Sequence, residues 1–195
     1  MSGGIEWQAL GRAYREAVGE PKLAKYRRQK WTRSIEFAGW IKEDALPSLT
    51  MDQADALYVA SGGSQRQDFS NNPIDEIRES LDFMLYDTVK LEGRFQECAE
   101  QAGAFKLDGA GKDFVSYLLC LSEPRLFAVW NANAEKALRK LGLDMGALRR
   151  GPLGIGYIDL LEGSDLVRQR MRMLDFRLVD EFFYLVSRPA AGGVD

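Results

Sequence analysis

The residues FKLDGAGKDFVSYLLCLSEPRLFAVWNANAEKALRKLGL, numbers 105–143, contain the pattern that decides how this chain folds. A turn with two glycines, Gly109 and Gly111, precedes an apolar run from Phe114 to Leu121. A proline then interrupts the pattern, and a second helical segment follows Asn131. Because glycine has no Cβ, such a turn lets the backbone approach another group closely, and we expect Gly111 to have a positive φ or a close backbone contact. We therefore expect two helices, the first of which opens at the glycine turn.

The glycine turn itself has two interpretations. In the first, it only joins two helices. In the second, the backbone N–H groups of Gly109, Ala110, Gly111 and the adjacent Lys112 hold a phosphate, because the unpaired N–H groups at a helix start attract anions. A single G-x-G pattern does not decide between the two, so the surrounding residues matter.

The order of a Leu-x-Gly-x-Gly turn, an apolar helix, a proline and an Asn segment opening another helix resembles the helix–hairpin–helix DNA glycosylase superfamily. Leu107, Gly109 and Gly111 fall on the hairpin of that family. Asn131 falls on the position of its catalytic Asp, and Ala132–Asn133 continue the segment. The resemblance covers the second half of the chain. It implies an all-α fold in which the hairpin holds a phosphate of DNA.

The sequence departs from this family at the residues that carry its chemistry. Asp108 stands in place of the hairpin proline, and Asp113 stands where bifunctional members have a nucleophilic Lys. Lys112 lies one residue earlier, so about 100° of helix rotation points it elsewhere. Asn131 is neutral and cannot stabilise a developing positive charge as an Asp does. We therefore assign no catalytic residue, although Asp113 and Asp108 are the acids nearest to these positions.

Composition excludes several classes of function. The 195 residues include no histidine and only two cysteines, which excludes Ser-His-Asp and Cys-His catalysis and His-ligated metals. The two cysteines are also too few for an iron–sulfur cluster of the kind some members of the family hold. We expect neither a cofactor nor a metal. No apolar run approaches the ~18 residues of a membrane helix, and Met1–Gly4 lacks the features of a signal peptide. We therefore expect a cytoplasmic protein without membrane contact.

Charge is unevenly distributed along the chain. The net charge of −3 argues against indiscriminate nucleic-acid binding. The first half of a predicted long helix, Lys22 to Asp44, is nevertheless basic, with Tyr26 and Trp31 interleaved. This run is either a solvated helix face or a surface that grips phosphates while its rings stack on bases. The candidate DNA-contacting cations of this helix and of the helix after Asn131 are Arg27, Arg28, Lys30, Arg33, Lys136, Arg139 and Lys140.

No strand-like alternation is present, so the sequence predicts an all-α helical bundle of about nine helices with a helix–hairpin–helix element. Residues 1–195 fit a single domain. Its outline is either one core or two lobes, with N-terminal helices in 1–70, the hairpin-containing core in 71–188 and a tail in 189–195. Residues 61–68 are predicted to be a polar loop. Thr50 and Gln53 form the signature of a capping box. Asn72 is the expected N-cap of a helix that begins at Pro73, and Asp175 is the expected cap of the last helix, Phe176–Val186. Residues 151–156, GPLGIG, resemble a phosphate loop but lack its Lys-Ser/Thr ending.

Three functions remain open at this point. The first is a DNA-binding module without catalysis. Its resemblance to recognition domains of bacterial defence proteins implies a nuclease or motor protein as a further partner. The second is a monofunctional base-excision glycosylase acting in DNA repair, and the third is a structural or protein-interaction module. A buried carboxylate near Asn131 would favour the glycosylase, and a basic surface beside the hairpin would favour either DNA-binding function.

Overall fold

The computed structural model describes residues 6–143 and 151–188, and these residues form α-helices without any β-strand, as the sequence predicts. A short 3₁₀ turn, Leu46–Ser48, precedes the fourth helix. The predicted tail, 189–195, lies outside the described residues. In chain order the helices are α1 (Trp7–Ala17), α2 (Pro21–Lys30), α3 (Ser34–Trp40), α4 (Met51–Ser61), α5 (Arg66–Ser70), α6 (Ile74–Tyr86), α7 (Leu91–Ala99), α8 (Lys112–Ser122), α9 (Ala132–Lys140), α10 (Leu153–Arg170) and α11 (Phe176–Val186).

Helix α8 is the centre of the core. Every residue from Phe114 to Leu121 is buried, as expected for a helix that is apolar on all sides. Helices α3, α4, α6 and α7 pack around it. The α7–α10 and α9–α11 pairs extend the same core. The glycine turn that precedes α8 is therefore held close to the middle of the fold.

The predicted helix from Lys22 to Asp44 is interrupted, so this prediction was wrong. Helix α2 ends at Lys30 and α3 begins at Ser34. The break lets Trp31 turn inward, where it is 6% exposed. Its indole N–H donates a hydrogen bond to Asp180, with Nε1 3.0 Å from the carboxylate oxygen. If the helix continued past Lys30, its next turn would lead away from Asp180, and Trp31 would lose this hydrogen bond.

The predicted polar loop at 61–68 was also partly wrong, because α5 begins inside it at Arg66. Phe69 anchors this short helix. Its ring is fully buried and stacks on Tyr58, with centroids 4.3 Å apart. Asn72 was expected to cap α6, but Pro73 occupies the N-cap position. The Asn72 side chain instead bonds to the backbone just before the glycine turn.

The structure confirms the other two predicted helix caps. Thr50 and Gln53 form the predicted capping box at the start of α4. Asp175 caps α11 by accepting hydrogen bonds from the N–H groups of Arg177 and Leu178.

In the glycine-rich 151–156 segment, a Cβ at Gly154 would lie 1.9 Å from the carbonyl oxygen of Glu92. Gly154 is therefore needed where α7 and α10 pack with their backbones in contact.

Candidate functional site

The glycine turn lies at the end of an irregular connection, because α7 stops at Ala99 and α8 starts at Lys112. Gly109 has a φ of +71°, and a Cβ there would lie 2.6 Å from the carbonyl oxygen of Gln65. Gly111, which we expected to have a positive φ or a close backbone contact, is instead an extended N-cap with φ −136°. Its added Cβ would meet only the Asp113 side chain. Gly109 is therefore the residue whose position requires glycine.

Side chains fix the turn to its surroundings. The Tyr58 hydroxyl donates to the carbonyl oxygen of Gly109 at 2.8 Å. The Asn72 amide both donates to the carbonyl oxygen of Asp108 and accepts from its N–H, each at 3.0 Å. The Lys106 ammonium donates to the carbonyl oxygen of Ala110. These contacts use carbonyl groups of the turn. The start of α8 has no side-chain cap.

A cleft of about 520 Å³ opens beside this helix start. It brings together Asp113 and Asn131, the two residues at catalytic positions of the family that the sequence resembles. Lys112, one residue before Asp113, does not line it. We call this site the central cleft. Its lining residues come from α2, the end of α4, the start of α8 and the start of α9, and they are Tyr26, Gln29, Lys30, Val59, Ala60, Ser61, Gly62, Asp113, Asn131, Ala132 and Asn133.

A buried carboxylate lies behind the central cleft. Asp180 is 2% exposed and accepts hydrogen bonds from Tyr26 Oη at 2.8 Å, Trp31 Nε1 at 3.0 Å and Asn131 Nδ2 at 3.0 Å. The Lys30 ammonium is itself buried, and its Nζ lies 3.2 Å from Oδ1 of the same carboxylate. A buried ion pair needs such additional donors to offset desolvation. We call Asp180 and these four donors the buried acid cluster.

The cluster also fixes the Asn131 side chain. Its amide nitrogen donates to Asp180, and its amide oxygen accepts from the Ala134 N–H at 2.9 Å as the N-cap of α9. Both ends of the amide are therefore occupied. Burial, followed by the Asp180 charge, raises the pKa of Tyr26 well above its usual value. The Tyr26 hydroxyl thus remains a neutral donor at physiological pH.

Several of the cations predicted to contact DNA are engaged within the protein. Arg27 makes two hydrogen bonds to the buried Glu181, at 2.8 and 2.6 Å. Arg33 pairs with Glu36 on the surface at 2.7 Å. Lys30 belongs to the buried acid cluster, so its charge does not reach solvent.

Of the predicted cations after the glycine turn, two are also engaged within the protein and two are not. Lys112 pairs with Glu135 and lies over the Trp130 ring, 4.6 Å from its centroid. Burial alone would raise the pKa of Glu135, but hydrogen bonds from Lys112 and the Trp130 indole together hold that pKa below its usual value. The Lys140 ammonium donates to two backbone carbonyl groups near the end of α11. Within 6–143 and 151–188, the predicted cations that are exposed and whose side chains make neither an ion pair nor a hydrogen bond are Arg28, Lys136 and Arg139.

Sequence reasoning missed Asp180 and Glu181. The pair lies within FRLVDEFFYLV, 176–186, an otherwise apolar helix. Two adjacent acids in such a helix are a signal for buried partners, since acids are almost never fully buried unless paired. Both side chains are buried in the structure.

No protein-family model matches this chain, and neither a curated protein nor a solved structure matches it significantly. Across the described ranges, no three or more acidic or cysteine side chains gather in a way that could hold a metal ion. In the same ranges, no helix has the length and apolar character needed to cross a membrane.

Proposed function

We propose that this protein binds DNA and accommodates one unstacked nucleobase in the central cleft. The observation that carries the proposal is the cleft itself, which places an aromatic ring and several side-chain amides in one concave site of about 520 Å³. That volume falls in the range of small-molecule sites, roughly 300–1,000 Å³. Enzymes and recognition proteins that take a base out of the stack read it by stacking and by hydrogen bonds to its edge.

The polar groups of the cleft fit this chemistry. Gln29 and Asn133 carry amides, which can pair with the donor and acceptor groups of a base edge. Tyr26 lines the same cleft and is held in place by stacking on Tyr184, with centroids 4.0 Å apart. A ring fixed by packing gives a base a surface to contact at little entropic cost.

The exposed cations on either side of the cleft supply a limited phosphate contact. Arg28 lies on α2, one residue before the cleft residue Gln29. Lys136 and Arg139 lie on α9, which begins at the cleft. If these three groups each neutralise one phosphate, the log–log salt slope should be about −2.7 on duplex DNA. This is fewer contacts than the sequence alone predicts, because Arg27, Lys30 and Arg33 pair with carboxylates.

The proposal includes no lyase activity and at most feeble base excision. A Schiff base needs a lysine amine aimed at the sugar, whereas Lys112 pairs with Glu135 and does not line the cleft. Asn131 is neutral. Asp180 is a buried carboxylate near Asn131, the feature that would favour a glycosylase, but it does not line the cleft and already accepts from four donors. It therefore adds no support for base excision. The resemblance to recognition domains supports a nuclease or motor protein as a further partner.

Asp113 favours one alternative, a monofunctional glycosylase. It lines the central cleft, and of its two carboxylate oxygens Oδ1 accepts the N–H of Phe114. Its other oxygen could orient a water toward a bound nucleotide. A single-turnover assay on duplexes with uracil, hypoxanthine, 8-oxoguanine or alkylated bases tests this alternative. Excision that disappears in Asp113→Asn would establish the glycosylase and overturn the non-catalytic proposal.

The test of DNA binding uses fluorescence anisotropy and two charge-matched double variants. Arg28→Gln with Arg139→Gln should flatten the salt slope by about two units. Lys90→Gln with Arg125→Gln removes the same charge from exposed sites outside the cleft and should leave the slope unchanged. Absence of binding at low salt would overturn the proposal and favour a structural or protein-interaction module.

The test of base capture fills the cleft. Val59 lines it and is 53% exposed, whereas Val89 is 47% exposed and lies elsewhere. A duplex with 2-aminopurine at a mismatch should become brighter on binding, because that base fluoresces more strongly when unstacked. Val59→Trp should abolish the increase, and Val89→Trp should preserve it. An increase that survives Val59→Trp would place the unstacked base outside the cleft.

A further inference from the structure

We infer that a second site, separate from the central cleft, binds a nucleotide through its phosphates. This site is an open groove of about 330 Å³ between α1 and the turn that joins α10 to α11. It shares no lining residue with the central cleft. We call it the arginine groove, and its charged residues are Arg12, Arg15, Arg170 and Arg172.

Within the described part of the chain, no ion pair balances the positive charge of the groove. All four arginines are exposed, and within the described ranges none makes an ion pair. Of the described residues, those that line the groove include no acid. This differs from the rest of a chain whose net charge is −3. The arginines that do pair with a carboxylate are Arg27, Arg33, Arg66, Arg78, Arg168 and Arg177.

Like charges gathered in this way repel one another, and an anion with several charges relieves that repulsion. The guanidinium group is suited to such a ligand, since its planar fork binds phosphate oxygens in pairs. Two of these groups come from α1 and two from the end of α10 and the following turn, more than 150 residues later. The fold therefore assembles the groove from distant parts of the chain.

The backbone at Arg172 is a second, independent observation. Arg172 has a φ of +52°, and it is the only non-glycine residue with a positive φ in the described ranges. It follows α10 in a Schellman arrangement. The Met173 N–H donates to the carbonyl oxygen of Arg168, and the Arg172 N–H donates to the carbonyl oxygen of Gln169. Glycine is the usual residue at this position because a side chain is strained there. A strained arginine that faces an anion-ready groove indicates that its side chain has a function.

Trp7 favours a nucleotide over a simple polyphosphate. Its half-buried indole lines the groove beside the arginines. Aromatic rings bind bases by stacking without regard to their identity, while the arginines would hold the phosphates. The ligand is therefore a nucleotide with two or three phosphates. It is either free or the phosphorylated end of a nucleic-acid strand.

Isothermal titration calorimetry with the intact chain tests this inference. The ligands are ATP, ADP, AMP, inorganic tripolyphosphate, and a short single strand with a 5′-triphosphate or a 5′-hydroxyl end. We expect affinity to rise with phosphate number and ATP to bind more tightly than tripolyphosphate. Tight binding of only the 5′-triphosphate strand identifies a strand end as the source. Tight binding of ATP as well identifies the free nucleotide.

Two variants test the location of the site. Arg12→Gln with Arg170→Gln should weaken ATP or the 5′-triphosphate strand at least tenfold, given the usual strength of charge-assisted hydrogen bonds. The charge-matched control, Lys90→Gln with Arg125→Gln, should change affinity less than twofold. Arg172→Gly should weaken the ligand while raising the midpoint of thermal unfolding, because it removes backbone strain and one charge together.

Three results would overturn the inference. These are no binding of any phosphorylated ligand at low salt, an equal loss in the control variant, and Arg172→Gly that leaves affinity unchanged. The central-cleft variant Val59→Trp should bind the phosphorylated ligands normally. Failure of the DNA-binding proposal and failure of this inference can therefore be told apart.

Discussion

Removing the carboxylate of Asp180 should be among the most damaging single changes in this protein. Asp180 accepts hydrogen bonds from Tyr26, Lys30, Trp31 and Asn131. Asp180→Ala would leave the Lys30 ammonium buried without an anion, 4% exposed and facing aromatic rings. It would also leave three neutral donors without their acceptor.

The magnitude follows from the burial of the pair. Breaking a buried ion pair from one side costs about 3–5 kcal/mol, because the remaining charge is uncompensated. Lys30→Met should cost less than Asp180→Ala, since the carboxylate would keep its three neutral donors. The double variant Lys30→Met with Asp180→Leu should cost less than the sum of the single changes, which identifies the coupling between the two residues.

Urea unfolding followed by circular dichroism gives the free energy of unfolding for each variant. The control is Glu36→Ala, which removes an acid from the exposed Arg33–Glu36 pair and should change stability little. A loss below about 1.5 kcal/mol for Asp180→Ala, less than half the range expected for a broken buried pair, would refute this reasoning. Lys30→Met costing more than Asp180→Ala would refute the asymmetry.

Other variants test the glycine turn, the α8–α9 contact and the core. Gly109→Ala should destabilise by about 2 kcal/mol or more through its positive φ and close backbone contact, whereas Gly111→Ala should cost less than about 1 kcal/mol. Similar losses would contradict the assignment. The lowered pKa of Glu135 means that its pairing with Lys112 stabilises the fold above about pH 4.3 and is lost as pH falls through the lower folded pKa. Glu135→Gln should therefore flatten the acid arm of a pH–stability curve, and an unchanged arm would count against it. Burial raises the pKa of Cys98 to about 12, so its thiol should react with a disulfide reagent only on unfolding. Rapid native labelling would contradict that placement.

The parts of the fold that the sequence predicted are those decided by near neighbours. The capping box at Thr50 depends on a residue three positions away, and the Asp175 cap on residues two and three positions away. The break after Lys30 depends instead on a hydrogen bond from Trp31 to a residue 149 positions later. No window along the chain contains that partner, so periodicity continued the helix through the break.

The difference between near and distant partners also explains why the sequence predicted too many cations to be free for DNA. A sequence gives the spacing of Arg27 and Lys30 on α2, but their partners Glu181 and Asp180 lie on α11. The basic run is therefore neither a wholly solvated face nor a wholly DNA-binding one. Its inner residues join α2 to α11, and Arg28 on its outer side remains available for phosphate. The acids inside the apolar α11 were the one sequence signal that could have separated the two groups.

Asn131 links the buried acid cluster to the central cleft, because it lines the cleft and bonds to Asp180. Its amide donates to Asp180 through one atom and accepts from the Ala134 N–H through the other, so only a side chain with both a donor and an acceptor satisfies the site. An Asp at position 131, as in the family that the sequence resembles, would bring a second carboxylate to about 3 Å from the first, where like charges repel strongly. Asn at 131 and Asp at 180 are therefore compatible with each other, while two acids are not. Introducing an acid by Asn131→Asp alone would damage the buried acid cluster before it could assist catalysis. A variant with an acid at 131 would also need Asp180 replaced by a residue that accepts from Tyr26 and Trp31 without a negative charge.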